Sequence, residues 1–162
     1  MAILDGILVV ALEQAVAAPY CTRLLAESGA RVIKLEREEG DFARAYDSVV
    51  NGESAYFIWL NSGKESLRID IKNSSDRALL DKILLKADVF IQNLKPGATD
   101  KLGLDYKTLA NLNETIIVCN ISGYGHEGPY SKMKAYDALV QAETALCSVT
   151  GPPGNPSKVG AS

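Results

Sequence analysis

Short apolar runs alternate with amphipathic stretches along the chain. Runs at residues 7–12 (ILVVAL), 31–36 (RVIKLE), 88–92 (DVFIQ) and 115–121 (TIIVCNI) are dominated by β-branched and other apolar residues. Their near-continuous apolarity predicts strands covered on both faces, as in a parallel sheet. A weaker run at 66–71 (SLRIDI) alternates apolar and polar positions, which suits a strand nearer an edge. Helix signals fill the intervals. Pro19 suits the first turn of a helix, Leu24 and Leu25 follow, and Gly29 ends it. Ser75 and Asp76 are placed to cap a helix over 77–86, where Leu79, Leu80, Ile83 and Leu84 make one stripe. Asp105 can cap a short helix reaching Leu112, and residues 137–149 predict one long apolar helix closed by Gly151. Strand and helix alternating in this way predict an α/β fold, a doubly wound, mainly parallel sheet flanked by helices.

Ligands of such sheets bind beyond the carboxyl ends of the strands. Function is therefore expected in the loops after Leu12, Glu36, Gln92 and Ile121. The first loop has neither G-x-G-x-x-G nor a P-loop, which disfavours NAD or ATP bound in the usual way. Its small residues leave two readings: a helix start that receives an anion, or a helix entry packed on the sheet. In the second loop, Arg37 lies within a run of acids, placed either for a phosphate or as part of a solvated charge run. Lys95 and Lys101 in and after the third loop read equally as phosphate ligands or surface lysines. His126, the single histidine, lies among glycines in the last loop and reads as a surface residue. Asp137 opens a helix, where the dipole stabilises a carboxylate whatever its role.

Composition narrows the function classes. The chain has 162 residues, 47% of them hydrophobic and 23% charged, which suits one soluble domain with a real core. A net charge of −3 gives no basic field for nucleic acid. No apolar run approaches the ~20 residues of a membrane span, and the start lacks a basic, apolar leader. Cys21, Cys119 and Cys147 lie far apart in apolar contexts, which predicts buried thiols in a reduced, cytoplasmic protein. One histidine and scattered cysteines cannot build a metal centre, so no metal is expected.

A series of short motifs carries a more specific signal. They are Leu4-Asp5-Gly6, Ala18-Pro19, the run GARVIKLE at 29–36, Gly40-Asp41, Asn61 with Gly63-Lys64, the stretch 93–97, and Gly123-Tyr124-Gly125. In this order and spacing the chain resembles the family III CoA-transferases, a group that includes formyl-CoA transferase and carnitine CoA-transferase, with α-methylacyl-CoA racemase as a relative. The resemblance runs from Leu4 to Ser162 and implies a Rossmann-like large domain that binds coenzyme A at its strand ends. It also implies a smaller domain and an interlocked homodimer. The chain would be the N-terminal part of the large CoA-binding domain, with the small domain and the C-terminal part absent.

The resemblance further implies site residues. Contacts to coenzyme A would come from Val16, Ala18, Arg37, Ile69, Lys72, Asn93, Leu94, Ala98, Lys101 and Lys134. The cations would meet the 3′-phosphate and diphosphate, and Ile69 and Leu94 the adenine. Lysine at 101 supplies a point charge where some relatives have the bidentate fork of arginine. Tyr56 would lie near the acyl group. Acyl-CoA and a carboxylic acid are the implied substrates, with no tightly bound cofactor. The implied chemistry passes CoA between acids through an aspartyl-CoA thioester, splitting one hard transfer into easier steps. Its nucleophilic Asp is expected just past the small-residue run that ends at Ser162, so the chain alone is expected to be inactive. Tyr136 and Asp137 would support that Asp. Racemases of this group carry His where Tyr136 stands, and tyrosine, with an ordinary pKa near 10, is a poor α-proton shuttle at neutral pH. Transferase is therefore favoured over racemase; a non-catalytic CoA-binding module or split-gene subunit is the alternative from another class.

Overall fold

A computed structural model describes residues 2–160. It divides into two compact units, residues 2–121 and 122–160. The first is built on five parallel strands, β1 (Leu8–Leu12), β2 (Arg31–Glu36), β3 (Glu65–Arg68), β4 (Val89–Gln92) and β5 (Ile117–Asn120). Their order across the sheet is β3-β2-β1-β4-β5. The chain winds outward from β1 in one direction, returns, and winds out in the other. The strand order reverses beside β1, the position where open α/β sheets form a ligand crevice.

The alternation of side chains along each strand divides the core into two layers. Val10, Ile33, Leu35 and Phe90 point to one face, where they pack with Leu80 and Leu84 of α3 (Ser74–Leu84) and Leu109 of α5 (Tyr106–Leu112). Val9, Ala11, Val32 and Ile91 point to the other, against Ala18, Cys21 and Leu25 of α1 (Ala17–Glu27). Each fully buried Leu or Phe contributes roughly 1.5–3 kcal/mol of transfer free energy. The helix α1 closes through Gly29, at φ +102°. There the Ala30 N–H donates to Leu25 O (3.0 Å) and the Gly29 N–H to Ala26 O (2.9 Å), the paired bonds of a Schellman ending.

The predicted α/β architecture is present, with local differences. The edge strand β3 starts at Glu65 and stops at Arg68, so Ile69 leaves the strand and turns into the core. The helix α3 is capped by Asn73, whose Oδ1 accepts from the Ser75 and Asp76 N–H groups, and not by Ser75 or Asp76. Asp76 instead accepts from the Asp70 N–H at 2.8 Å, closing the preceding turn. Two helices went unread in the sequence, α2 (Ala55–Asn61) and the single turn α4 (Ala98–Lys101). The thiols of Cys21, Cys119 and Cys147 are half-buried rather than buried.

In the second unit the long helix expected over 137–149 is broken. The helix α6 covers Asp137–Glu143, and a 3-10 turn follows at Leu146–Val149. Ala145 between them has φ +62°, which no helix interior allows. Thr144 Oγ1 donates to Val140 O at 2.8 Å, a side-chain bond that competes with the helical ladder at this point.

Candidate functional site

Three strand-end loops of the first unit converge through their backbone polar groups. The loop after β1 is gripped from two sides. From the loop after β4, Asn93 Oδ1 accepts from the Gln14 N–H (2.9 Å) and Asn93 Nδ2 donates to Gln14 O (2.7 Å). From the loop after β2, Asp41 Oδ1 accepts from the Ala15 N–H at 3.2 Å. Ala15 itself is held at φ +62°, a left-handed conformation unusual for alanine. Beyond it α1 begins at Ala17 without any side-chain cap. The N–H groups of Val16, Ala17 and Ala18 find no acceptor among the described residues, and Pro19 has none to offer.

Beneath these loops lies a buried cluster of charge. Lys34, in the middle of β2, is 1% exposed, and its Nζ donates to Asp41 Oδ2 at 2.7 Å. Glu13 Oε1 stands 3.7 Å from the same ammonium and 2.8 Å from Lys64 Nζ, while Glu13 Oε2 accepts from Thr22 Oγ1 at 2.7 Å. Lys64 also donates to Pro19 O and Asn61 Oδ1. Glu36 accepts from both Arg44 Nε (3.0 Å) and Nη2 (2.8 Å), from Ser66 Oγ (2.5 Å) and from the Asp41 N–H (3.0 Å). The Phe57 ring lies 3.8 Å from the Arg44 guanidinium and 5.5 Å from the Lys34 ammonium, roofing the cluster. Burial alone would raise the Glu36 carboxyl, but the Arg44, Ser66 and Asp41 donors outweigh it and hold the pKa down at about 2. Burial lowers the Lys64 ammonium below its ordinary value, and Glu13 opposes that fall.

This cluster explains sequence motifs that had no assigned task. Gly40-Asp41 and Asn61 with Gly63-Lys64 supply its anion, its acceptor and its second cation. Glu13 and Lys34 were not singled out as site residues. Their signal was present: a lysine between Ile33 and Leu35 in a buried strand must find a carboxylate. Cations and carboxylates balance across the connected pairs, three of each: Lys34, Lys64 and Arg44 with Glu13, Asp41 and Glu36. A balanced cluster exerts little pull on an anionic ligand, so its ammonium groups are spent on structure.

The sequence-predicted contact residues of the first unit lie in the segments that follow β1, β2, β3 and β4. Arg37 is exposed, loosely paired with Glu39 at 3.5 Å. Lys72 and Lys101 are exposed and carry no ion pair among the described residues. Val16 is half-buried at the start of α1, and Ala98 half-buried at the start of α4. Leu94 is half-buried, with its N–H bonded to Gln92 Oε1 at 2.6 Å. Two of these residues are buried. Ala18 is fully buried within the first turn of α1, so neither its methyl nor its N–H reaches the surface. Ile69 is 6% exposed and packs in the α3-side core. Asn93 spends its carboxamide on Gln14. Tyr56 is exposed on α2, edge-on to Tyr46 and Trp59 with ring centroids 6.1 Å away in each case.

In the second unit, Tyr136 precedes α6 and is exposed, as are Lys134 and His126. Asp137 accepts from Gln141 Nε2 at 3.0 Å and pairs with Lys158 Nζ at 2.9 Å. Those two donors lower its pKa below the ordinary carboxylate value. Gln141 Oε1 in turn accepts from the Val159 N–H at 2.8 Å, so α6 holds the segment that follows the 3-10 turn. A Cβ on Gly123 would lie 2.0 Å from that of Ala135, which leaves room for no other residue there.

Comparison with known proteins agrees with this architecture. The chain is 40% identical over 158 residues to an acetyl-CoA:oxalate CoA-transferase of Acetobacter aceti, covering 96% of the chain and 41% of that protein. It is 40% identical over 166 residues to a succinate–glutarate CoA-transferase of Agrobacterium fabrum, covering 97% of the chain and 42% of the relative. The chain thus spans about two-fifths of the length of these curated relatives. A CAIB/BAIF family protein from Brucella suis superposes with a TM-score of 0.92 at 38% identity, over 99% of the chain and 44% of that structure. The family model for CoA-transferase family III matches residues 4–162, and the chain belongs to that family.

Proposed function

We propose that this chain supplies the coenzyme A-binding part of a CoA-transferase that moves CoA between carboxylic acids. The observation that carries the reading is the free start of α1. The N–H groups of half-buried Val16 and exposed Ala17, without acceptors among the described residues, follow a loop clamped by Asn93 and Asp41, at the strand ends of a sheet from CoA-transferase family III. A helix start with open N–H groups favours an anion. Exposed Arg37, Lys72 and Lys101 on segments that follow strand ends would supply charge for the phosphates, and half-buried Leu94 apolar surface. The transfer would proceed through a thioester on an enzyme carboxylate, with acyl-CoA and a free acid as substrates, in a homodimeric cytoplasmic protein. The buried acids Glu13, Glu36 and Asp41 are all consumed in ion pairs, so none is free to serve as that nucleophile.

Calorimetry with coenzyme A and 3′-dephospho-CoA tests the reading. The chain should bind CoA more tightly, and Arg37→Ala should weaken CoA by roughly 1–3 kcal/mol, the scale of a charge-assisted hydrogen bond. No binding of either compound by the folded chain would refute it.

A further inference from the structure

We propose that Asp41, clamped by Lys34, is a positioning residue that folds the loop after β1 into its ligand-receiving shape. The inference rests on the CoA reading for its ligand, but the loop geometry behind it does not. Three donors from this chain meet the Asp41 carboxylate. Oδ2 takes the Lys34 ammonium (2.7 Å), while Oδ1 takes the Ala15 and Ala43 N–H groups (3.2 and 2.9 Å). Asp41 is itself 5% exposed and Lys34 is 1% exposed, so neither residue is available to touch a ligand.

Ala15 is the point of leverage. Left-handed backbone costs an alanine energy that nothing local returns. It persists because its neighbours over-determine it: Asn93 fixes both polar groups of Gln14, and Asp41 fixes the Ala15 N–H. The turn at Ala15 then delivers the chain into α1 with the Val16 and Ala17 N–H groups open. Without Asp41 the Ala15 peptide is free to relax to negative φ. The entry into α1 would then swing, and a ligand would have to spend binding energy on rebuilding the turn.

The cluster is built to give this clamp rigidity rather than charge. Lys34 is anchored on a central strand, and Glu13, the residue next to Gln14, is tied to Lys64 and Thr22. Glu36 and Arg44 hold the other side of the Asp41 turn through the Asp41 N–H and the 3-10 turn that Arg44 belongs to. The loops after β1 and β2 therefore move together or not at all.

The experiment compares wild type with the charge-balanced double variant Lys34→Met/Asp41→Ala, which leaves Glu13–Lys64 and Glu36–Arg44 intact. Leu109→Ala, in the opposite core layer, is the control for lost stability alone. Amide hydrogen exchange is followed by NMR without ligand, and CoA binding by calorimetry. In wild type the Ala15 amide should exchange far more slowly than those of Val16 and Ala17. In the double variant Ala15 exchange should rise at least about tenfold relative to β1, and CoA should bind about tenfold more weakly or worse. The control should change neither. Ala15 exchanging as fast as Val16 in wild type overturns the proposal, and this holds even should the double variant fail to fold. So does an accelerated Ala15 amide with unchanged CoA affinity. A wild-type chain that protects Ala15 yet binds no CoA refutes the function proposed above and leaves the clamp standing.

Discussion

Glu36 offers the sharpest quantitative test. Its carboxylate accepts four hydrogen bonds from Arg44, Ser66 and Asp41, and its pKa falls from 4.5 to about 2. A folded-state pKa below the unfolded value means that the folded protein binds this proton less readily. The stabilisation is therefore fully present above pH 4.5 and is lost as pH falls toward about 2. At about 1.4 kcal/mol for each pH unit, the fall corresponds to about 3 kcal/mol. The Arg44 side chain is 40% exposed, so solvent screening brings the figure nearer 2 kcal/mol. Glu36→Gln should thus be less stable than wild type by about 2–3 kcal/mol at pH 7 and nearly equal to it at pH 2. Urea unfolding of both proteins, followed by circular dichroism at half-unit steps of pH, reads the gap directly. Other carboxylates titrate in both proteins and cancel in the difference. A gap that stays constant from pH 7 to pH 2 would show that Glu36 is not a depressed acid and that the Arg44 contact is a surface feature of little weight.

Other outcomes follow from other contacts. Gly29→Ala should cost on the order of 1–3 kcal/mol in thermal or urea unfolding, because it combines a positive φ with a Cβ only 2.3 Å from that of Ala2. Asp137→Asn should release the Lys158 segment, seen as faster proteolysis after Lys158 with an unchanged far-ultraviolet spectrum. The 162-residue chain should show no exchange of label between acyl-CoA and free acid and no hydroxylamine-trapped intermediate, since its buried acids are all paired; measurable turnover would make Asp137 the first residue to replace.

The apolar runs made four of the five strands legible: β1, β2 and β4 are buried along most of their length, which leaves a continuous trace, whereas β5 reads as apolar yet lies at a sheet edge with Ile117 63% exposed. The edge strand β3 was misplaced by a residue or more. Leu67, Ile69 and Ile71 alternate as a strand would, yet Ile69 is drawn into the core by the turn after Arg68. The helix α2 was missed because its sequence AYFIWLN has neither polar face nor stripe; it is recognised only by Ser54, whose Oγ accepts from the Phe57 N–H. The break at Ala145 left no glycine or proline to mark it. In the candidate site, the exposed cations could be proposed from sequence. The clamp could not, because Glu13, Lys34, Asp41 and Lys64 meet only when four separate segments are folded.

The central place of β1 has a consequence for how the chain folds. Its first partner, β2, arrives after a single helix, whereas its second, β4, must return from far along the chain to set Val9 against Val89. Closing so long a loop is entropically slower, so β1, α1 and β2 are expected to consolidate first. Until β4 docks, one edge of β1 is a bare row of amides lined by valines, open to any other strand. The rate at which residues 37–88 complete their own packing therefore sets how long nascent molecules are vulnerable to pairing with one another. Substitutions in α3 that barely alter final stability should still change the yield of refolding at high concentration.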